Sequence, residues 1–160
     1  MTHPPRPAQL DSPLLPKLFS FAGRAHVRLY RWTGGRIGGL WRVGAGWRKP
    51  VPTLLLEHRG RKSGDLYTTP LLYLVDGADT VIVASQGGLP KHPQWYHNLR
   101  AEPDTHVQIR RDRVPVHAMV ADAEQRARLW PLLVDLYADF DTYQSWTERE
   151  IPVLVLRPRA

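Results

Sequence analysis

The chain has 160 residues, 42% of them hydrophobic, which suits one domain with a buried core. Its 22 Lys and Arg residues against 15 Asp and Glu give a net charge of +7, which favours an anionic partner. A nucleic acid, an anionic membrane surface and a phosphorylated ligand all fit that charge. The absence of cysteine excludes a disulfide scaffold, a thiolate metal site and a cysteine nucleophile. The seven histidines lack metal-motif spacing, so no metal is expected.

The first 16 residues, Met1 to Pro16, are proline-rich and lack the apolar core of a signal peptide. No apolar run in the sequence approaches the roughly 20 residues that a membrane span needs. We therefore expect a disordered tail over residues 1–16, a single domain over residues 17–160 and a cytoplasmic protein.

Residues 17–32 have the pattern of a helix, with apolar and basic side chains on different faces. The basic face carries Lys17, Arg24, Arg28 and Arg31. A glycine-rich loop follows, with Trp32, Trp41 and Trp47 in or beside it. In one interpretation residues 17–47 lie on the inner face of an anionic membrane, where a quinone would be found. In the other, which we favour, the helix packs on the domain or covers a dimer seam.

Six strand-like runs occupy the rest of the chain, at residues 51–58, 66–75, 80–85, 105–110, 114–121 and 151–156. A short helix fits residues 92–101, and a longer one begins after Asp122, a good N-cap with Gln125 three positions on. Pro131 inside the longer helix predicts a kink or an early 3₁₀ turn. This pattern predicts a mainly β protein with flanking helices (α+β), built as a small closed or split β-barrel.

Three segments carry residues suited to binding. Residues 59–64, Arg-Gly-Arg-Lys-Ser-Gly, follow a strand and combine tight-turning glycines with charge and a hydroxyl, as in a loop for phosphate or carboxylate. A solvated basic turn explains the same residues equally well. Residues 84–88 end a strand in a Gly-Gly turn just before a helix, which suits a polar ring edge or an anion. Tyr137, Phe140 and Tyr143 share one helical face and form either core or a wall for a flat substrate.

Five elements, in this order, resemble the deazaflavin-dependent nitroreductase family, a branch of the split β-barrel flavin and deazaflavin reductases. They are GRKSG at 60–64, TTPL at 68–71, VASQGG at 83–88, the Pro93-x-Trp95-Tyr96-x-Asn98-Leu99 segment, and the closing Tyr137…Tyr143…Ile151-Pro152-Val153 stretch. Their order and spacing agree over residues 18–156, nearly the whole chain.

The resemblance implies an FMN-binding-like split β-barrel that holds coenzyme F420, a deazaflavin with a phosphate and an oligoglutamate tail. It places Arg61, Lys62 and Ser63 at the phosphate and tail, Thr69 and Pro70 at the ring pocket, and Val83, Ala84, Ser85 and Gln86 at the ring edge. Gln94, Trp95, Tyr96 and Asn98 would close over the coenzyme, and Tyr137, Phe140 and Tyr143 would contact the substrate.

The implied reaction is a hydride transfer from C5 of the reduced ring to a quinone-like or nitroaromatic acceptor. Ser85 is expected to donate a hydrogen bond near the reacting ring. Phe140 stands where a relative has a tyrosine, so Tyr137, Tyr143 or solvent would supply the proton. Gln86 and Tyr67 replace a lysine and an arginine that are common in the family, which removes two cations near the coenzyme.

Three other functions share some of these features. A non-catalytic F420-binding or carrier protein would use the same loop and pocket, and an FMN-dependent reductase would use the same fold. A nucleic-acid binder is disfavoured, because the basic residues concentrate at one turn and one helix. Relatives are often dimeric, so a homodimer is a further expectation.

Overall fold

The structure, a computed structural model, describes residues 3–8, 12 and 14–160, with the side chains of all of these except residues 15–19. Much of the predicted tail therefore lies outside the described residues, and its disorder stays a prediction. The described part forms four α-helices and eight β-strands. The helices are α1 (Leu15–Thr33), α2 (Gln94–Ala101), α3 (Ala123–Leu136) and α4 (Asp139–Ser145). The strands are β1 (Leu40–Trp41), β2 (Val51–Arg59), β3 (Leu66–Leu72), β4 (Leu74–Asp76), β5 (Asp79–Val83), β6 (Asp104–Ile109), β7 (Asp112–Val120) and β8 (Val153–Pro158).

All strand pairings are antiparallel, in the order β1-β2-β6-β7-β8-β5-β4, and β3 pairs off this path with residues 53–59 of β2. The sequence predicts one strand over residues 66–75, but the chain breaks at Tyr73 into β3 and β4. The Tyr73 N–H still donates to the Pro52 carbonyl at 3.2 Å, but Pro52 has no N–H to return a bond, so the β2–β3 ladder ends there. Because β3 then pairs with β2 and β4 with β5, the sheet curls back on itself. The predicted split β-barrel with flanking helices is confirmed.

The core lies on both faces of the central strands. On β5 and β8, Ile82 and Leu154 point to one cluster and Val81 and Val153 to another, as the two-residue period of a strand requires. Helix α2 covers the first cluster, and α3 and α4 cover the second. Because these strands are buried on both sides, they read as continuous apolar runs.

Helix α1 packs on the barrel, as the favoured interpretation predicts. Val27 and Tyr30 are buried against Leu55 of β2. The predicted separation of apolar and basic faces is wrong, because Arg24 and Arg28 line one exposed groove together with apolar side chains of the helix. The Tyr30 hydroxyl donates to the Thr53 carbonyl (3.0 Å) and accepts from the Arg110 N–H (2.8 Å), so one side chain ties the helix to β2 and to the turn between β6 and β7. The helix begins at Leu15, two residues before the predicted start, and the side chain of Lys17 lies outside the described residues.

The start of α2 and the interior of α3 differ from the prediction. Helix α2 begins at Gln94 and not at residue 92, because Pro93 is extended and precedes the first turn. Helix α3 has the predicted cap, in which the Asp122 carboxylate accepts from the Gln125 N–H at 2.8 Å. It continues through Pro131 to Leu136, so the predicted early 3₁₀ turn is absent.

The placement of Tyr137, Phe140 and Tyr143 on one helical face was wrong. Helix α3 ends at Leu136, Tyr137 is extended, and α4 begins at Asp139. The Asp139 carboxylate accepts a hydrogen bond from the Ala45 N–H at 2.9 Å, so a contact distant in sequence holds the start of α4. Tertiary structure therefore decides this break, and helical periodicity does not show it.

Candidate functional site

Two cavities lie on either side of the first turn of α2. We call the first the aromatic cavity; its volume is about 460 Å³, and it is lined by His26, Trp41, Thr53, Pro70, Leu71, Leu72, Val83, Ser85, Gln86, Gly87, Pro93, Trp95, Tyr137, Phe140 and Tyr143. We call the second the basic cavity; its volume is about 400 Å³, and it is lined by His58, Gly60, Arg61, Lys62, Ser63, Tyr67, Gln94 and Asn98. Since Pro93 and Trp95 face one cavity and Gln94 faces the other, a ligand with a flat end and a charged end would span this helix.

The rim of the basic cavity is the tight turn between β2 and β3. The Gly60 N–H donates to the Asp65 carbonyl at 2.8 Å, and the Gly64 N–H donates to the Gly60 carbonyl at 2.7 Å. Gly64 has a φ of 77°, in the left-handed region that favours glycine. A Cβ on Gly60 would lie 2.6 Å from Ser63 Oγ. The two glycines thus allow the turn that presents Arg61, Lys62 and Ser63 together.

A chain of hydrogen bonds links this turn to the strand beside the other cavity. The Arg61 backbone N–H and its Nη1 both donate to Asn98 Oδ1, at 3.2 and 3.0 Å. Since this atom accepts, the other amide atom of Asn98 is the nitrogen, and it donates to His58 Nδ1 at 3.0 Å. His58 Nε2 then carries the ring proton and donates to Thr69 Oγ1 at 2.9 Å. Burial lowers the pKa of His58 to about 4, so the ring is neutral near pH 7.

The Arg61 guanidinium is available to an anion. Its Nη1 also donates to Gln94 Oε1 at 3.0 Å, so neutral amides of α2 position it. Among the described residues no carboxylate lies within 4 Å of Arg61. An anion entering the basic cavity would therefore meet an oriented cation with no competing ion pair.

Three aromatic side chains in mutual contact form one wall of the aromatic cavity. The Tyr137 and Phe140 rings meet edge to face at 5.1 Å between centroids, and Tyr143 lies 6.3 Å from Tyr137. The two tyrosine hydroxyls are 3.4 Å apart. Burial raises the pKa of both Tyr137 and Tyr143 above that of a free tyrosine, so both stay protonated and able to donate at neutral pH.

The turn after β5 borders the aromatic cavity, and hydrogen bonds from Arg149 hold its backbone. Gln86, Gly87 and Gly88 all have positive φ, and Gln86, at 47°, is one of two non-glycine residues of the described chain with that geometry. Arg149 donates to the carbonyls of Ser85 (2.8 Å), Leu89 (2.9 Å) and Ala84 (3.3 Å). These three bonds fix the backbone that presents Ser85, whose own hydroxyl has no hydrogen bond within the described chain.

The structure brings most of the residues predicted from sequence to one of the two cavities. Pro70, Val83, Ser85, Gln86, Trp95, Tyr137, Phe140 and Tyr143 line the aromatic cavity, and Arg61, Lys62, Ser63, Gln94 and Asn98 line the basic cavity. Thr69, Ala84 and Tyr96 line neither. Thr69 bonds His58, whereas Ala84 and Tyr96 belong to the core beneath α2. Ala84 and Tyr96 could therefore affect ligand binding only through their backbone atoms or through core packing.

The sequence predicted no role at the site for four residues. His26, Trp41 and Thr53 line the aromatic cavity, and Arg149 holds the turn. None lies in a motif with a recognisable spacing. The one usable signal was Thr53 and His58 in an otherwise apolar strand, since a polar residue in a buried strand needs a partner.

Comparisons with known proteins agree with this arrangement. The family model described as F420H(2)-dependent quinone reductase matches residues 22–158. A Mycobacterium tuberculosis H37Rv protein, provisionally named as such a reductase, is 63% identical over 118 residues, covering 74% of this chain and 99% of its own length. An F420H(2)-dependent quinone reductase of the same strain is 41% identical over 141 residues, covering 85% and 89%.

Solved structures give the same result. One described as an F420-H2 dependent reductase has a TM-score of 0.62 and 36% identity over 66% of this chain and 94% of that chain. Another, described as a domain-swapped dimer, has a TM-score of 0.63 and 28% identity over 89% and 99%. The match of the family model over most of the chain, together with these relatives, shows that the protein belongs to the F420H(2)-dependent quinone reductase family.

Proposed function

We propose that the protein transfers a hydride from reduced coenzyme F420 to a quinone. The observation that carries this proposal is the pairing of a flat, mainly apolar cavity with a basic one across the first turn of α2. F420 has the same two parts, a flat deazaflavin ring and an anionic phosphate and oligoglutamate tail. Family membership supports the same coenzyme and the same class of acceptor.

The residues present fit the coenzyme. Arg61, Lys62 and Ser63 would hold the phosphate and tail, since Arg61 is oriented by amides and has no carboxylate partner among the described residues. Pro70 and Val83 would contact the ring, and Ser85, whose hydroxyl is unbonded, would donate to its edge. Replacement of the family's lysine by Gln86 leaves the ring end without a cation on this turn, which concentrates anion binding at the basic cavity.

The coenzyme supplies the hydride, and the protein orients the acceptor and excludes water. A quinone stacked on Tyr137, Phe140 and Tyr143 becomes a hydroquinone by gaining one hydride and one proton. Negative charge develops on a quinone oxygen as the hydride arrives, and a neutral tyrosine hydroxyl stabilises it by donating a hydrogen bond. Tyr137 and Tyr143 hold their protons at neutral pH and are the catalytic groups we assign, with Ser85 at the ring. Nitroaromatics of similar shape would enter the same cavity.

A binding titration followed by turnover tests this proposal. Oxidised F420 is titrated into the purified protein with FMN in parallel, and reduced F420 is then assayed with menadione. We expect saturable F420 binding, weak FMN binding and oxidation of the reduced coenzyme that depends on menadione. Binding without turnover of any quinone would instead support a carrier. Preferential binding of FMN would support an FMN-dependent reductase.

We further propose that the outer face of α1 contacts an anionic membrane, where a lipophilic quinone would be found. Phe21 and Trp32 are 67% and 84% exposed on the face opposite the buried Val27. Arg24 and Arg28 line the same groove. Exposed apolar side chains flanked by arginines complement a lipid surface with negative headgroups. No helix in the described part is long and apolar enough to cross a membrane, so this contact would be peripheral.

Co-sedimentation with vesicles tests the membrane contact. We expect binding to vesicles rich in phosphatidylglycerol, little binding to phosphatidylcholine vesicles, and loss of binding in a Phe21→Ser, Trp32→Ser double variant. Val75→Ser, which removes an exposed apolar side chain from β4, is the control that should still bind. Absence of binding at low salt would contradict the proposal. Self-association that the double variant abolishes would show that this face is a dimer seam.

A further inference from the structure

The indole N–H of Trp41 is a buried donor with no hydrogen-bond partner among the described residues. Trp41 lies on β1, paired with Val51 of β2, and lines the aromatic cavity. Buried polar atoms in folded proteins nearly always have a partner, so an exception at a cavity indicates a place for a ligand atom. An indole nitrogen can only donate, so the missing partner must be an acceptor.

A further observation places this donor beside the Tyr137 hydroxyl. The Trp41 indole opposes the rise in the pKa of that hydroxyl by hydrogen bonding, although its N–H lies outside the distance and angle of a formed hydrogen bond. Thr53 Oγ1 is also buried without a partner among the described residues and lines the same cavity. Both groups can therefore donate to an incoming oxygen atom.

We propose that Trp41 donates a hydrogen bond from Nε1 to a carbonyl oxygen of the quinone and thereby helps to select carbonyl acceptors. This inference rests on the proposed function. The quinone gains a hydride, which brings two electrons and one hydrogen, and one proton, while the reduced coenzyme is oxidised. Trp41 keeps its proton throughout and stabilises the charge that develops on the oxygen. A Tyr137 or Tyr143 hydroxyl or water supplies the proton.

Substitution of Trp41 by phenylalanine removes the N–H and keeps an aromatic ring. We expect kcat/KM for a quinone to fall by about 30-fold, since a hydrogen bond to a charged group contributes about that much. The affinity for oxidised F420 should stay unchanged. Trp47→Phe is the matched control, because Trp47 lies on the same segment, 78% exposed and outside both cavities. An unchanged kcat/KM, or an equal loss of F420 binding, would overturn the inference.

Two quinones of one size separate hydrogen bonding from shape. Methyl and chloro substituents are similar in volume, but methyl-substituted benzoquinones have the lower electron affinity. A hydrogen bond to the developing oxyanion should matter more for the weaker acceptor, so Trp41→Phe should slow the methyl compound more than the chloro compound. Equal losses for both would show that Trp41 only shapes the cavity.

A measurement on the unmodified chain keeps the inference testable if Trp41→Phe does not fold. The protein with ¹⁵N-labelled tryptophan gives six indole N–H signals, one for each tryptophan, assigned by substituting the other five in turn. With oxidised F420 bound, addition of menadione should shift the Trp41 signal and leave the Trp47 signal in place. A Trp41 signal that does not move while menadione binds would overturn the inference. If the unmodified enzyme turns over no quinone at all, the proposed function has failed.

Discussion

The two cavities use polar groups in opposite ways. At the basic cavity Arg61, Asn98, His58 and Thr69 form a series of hydrogen bonds in which every side chain has a protein partner. These bonds hold the Arg61 charge in place. In the aromatic cavity the Trp41 N–H, Thr53 Oγ1 and the Ser85 hydroxyl have no partner among the described residues. The hydrogen bonds of the basic cavity are therefore formed without a ligand, whereas those of the aromatic cavity need a ligand as their acceptor.

This difference separates binding from chemistry. A preorganised cation gives affinity for an anionic tail, which should depend on salt. Neutral donors in a dry, apolar cavity give little ground-state affinity but strong stabilisation of a developing charge. Substitutions in the basic cavity should therefore change coenzyme affinity, and substitutions in the aromatic cavity should change turnover.

Arg61→Met should give the largest effect. It removes an oriented cation, and we expect the Kd for F420 to rise by about 30- to 100-fold, the value of a charge-assisted hydrogen bond. The salt dependence of binding should weaken in parallel. Arg111→Met makes the same change in net charge outside both cavities and should bind normally. Equal losses in the two variants, measured by titration, would mean that only net charge matters.

Tyr137→Phe should act on turnover alone. Loss of the hydroxyl should lower kcat/KM for a quinone by about 10-fold, because one donor to the acceptor is gone. The Kd for F420 should not change. Tyr73→Phe, a half-buried tyrosine away from both cavities, is the control for stability. If Tyr137→Phe weakens coenzyme binding as much as turnover, the separation between the two cavities is wrong.

His58 should make stability depend on pH. Its pKa is about 4 in the folded protein against an ordinary 6.5, so between these values the unfolded chain binds a proton that the folded chain does not. Stability from this group is therefore complete above about pH 6.5 and is lost as the pH falls toward about 4. After allowance for solvent screening, we expect a loss of about 1–2 kcal/mol.

Urea unfolding near pH 7 and near pH 4 measures this loss. A His58→Gln variant, which keeps an acceptor and a donor in the chain, should lose less stability between the two conditions, since the other titrating groups are the same. An identical pH dependence in both proteins would show that folding does not change the pKa of His58.

Gln86→Lys should give the smallest effect. It restores a cation at the exposed turn beside the aromatic cavity, and a solvent-exposed charge near an anion contributes little. We expect F420 to bind about 3-fold more tightly, with kcat unchanged. Gln86→Glu is the matched variant and should weaken binding to a similar extent. A 100-fold gain in affinity for F420 would mean that both cavities contact its anionic tail.

The sequence predicted the parts of the molecule that depend on short spacing. The turn at residues 59–64, the strand runs and the cap at Asp122 are local, because glycine conformation, two-residue alternation and a side chain bonding three residues ahead need few neighbours. The order of five such segments then identified the family. The peripheral contact of residues 17–47 and a homodimer stay predictions.

Tertiary structure decided what depends on distant contacts. The break at Tyr73 follows from its position opposite Pro52, which has no N–H to donate, and the separate helix α4 follows from the Asp139 contact with Ala45. The roles of Trp41, His58 and Arg149 also come from packing, since each acts on residues far away in sequence. By itself the sequence determined the barrel and, through the resemblance of five local segments, the family. Only the fold decided which polar groups have a protein partner and which can bind a ligand, because hydrogen-bond partners are usually residues that are distant in sequence and close in space.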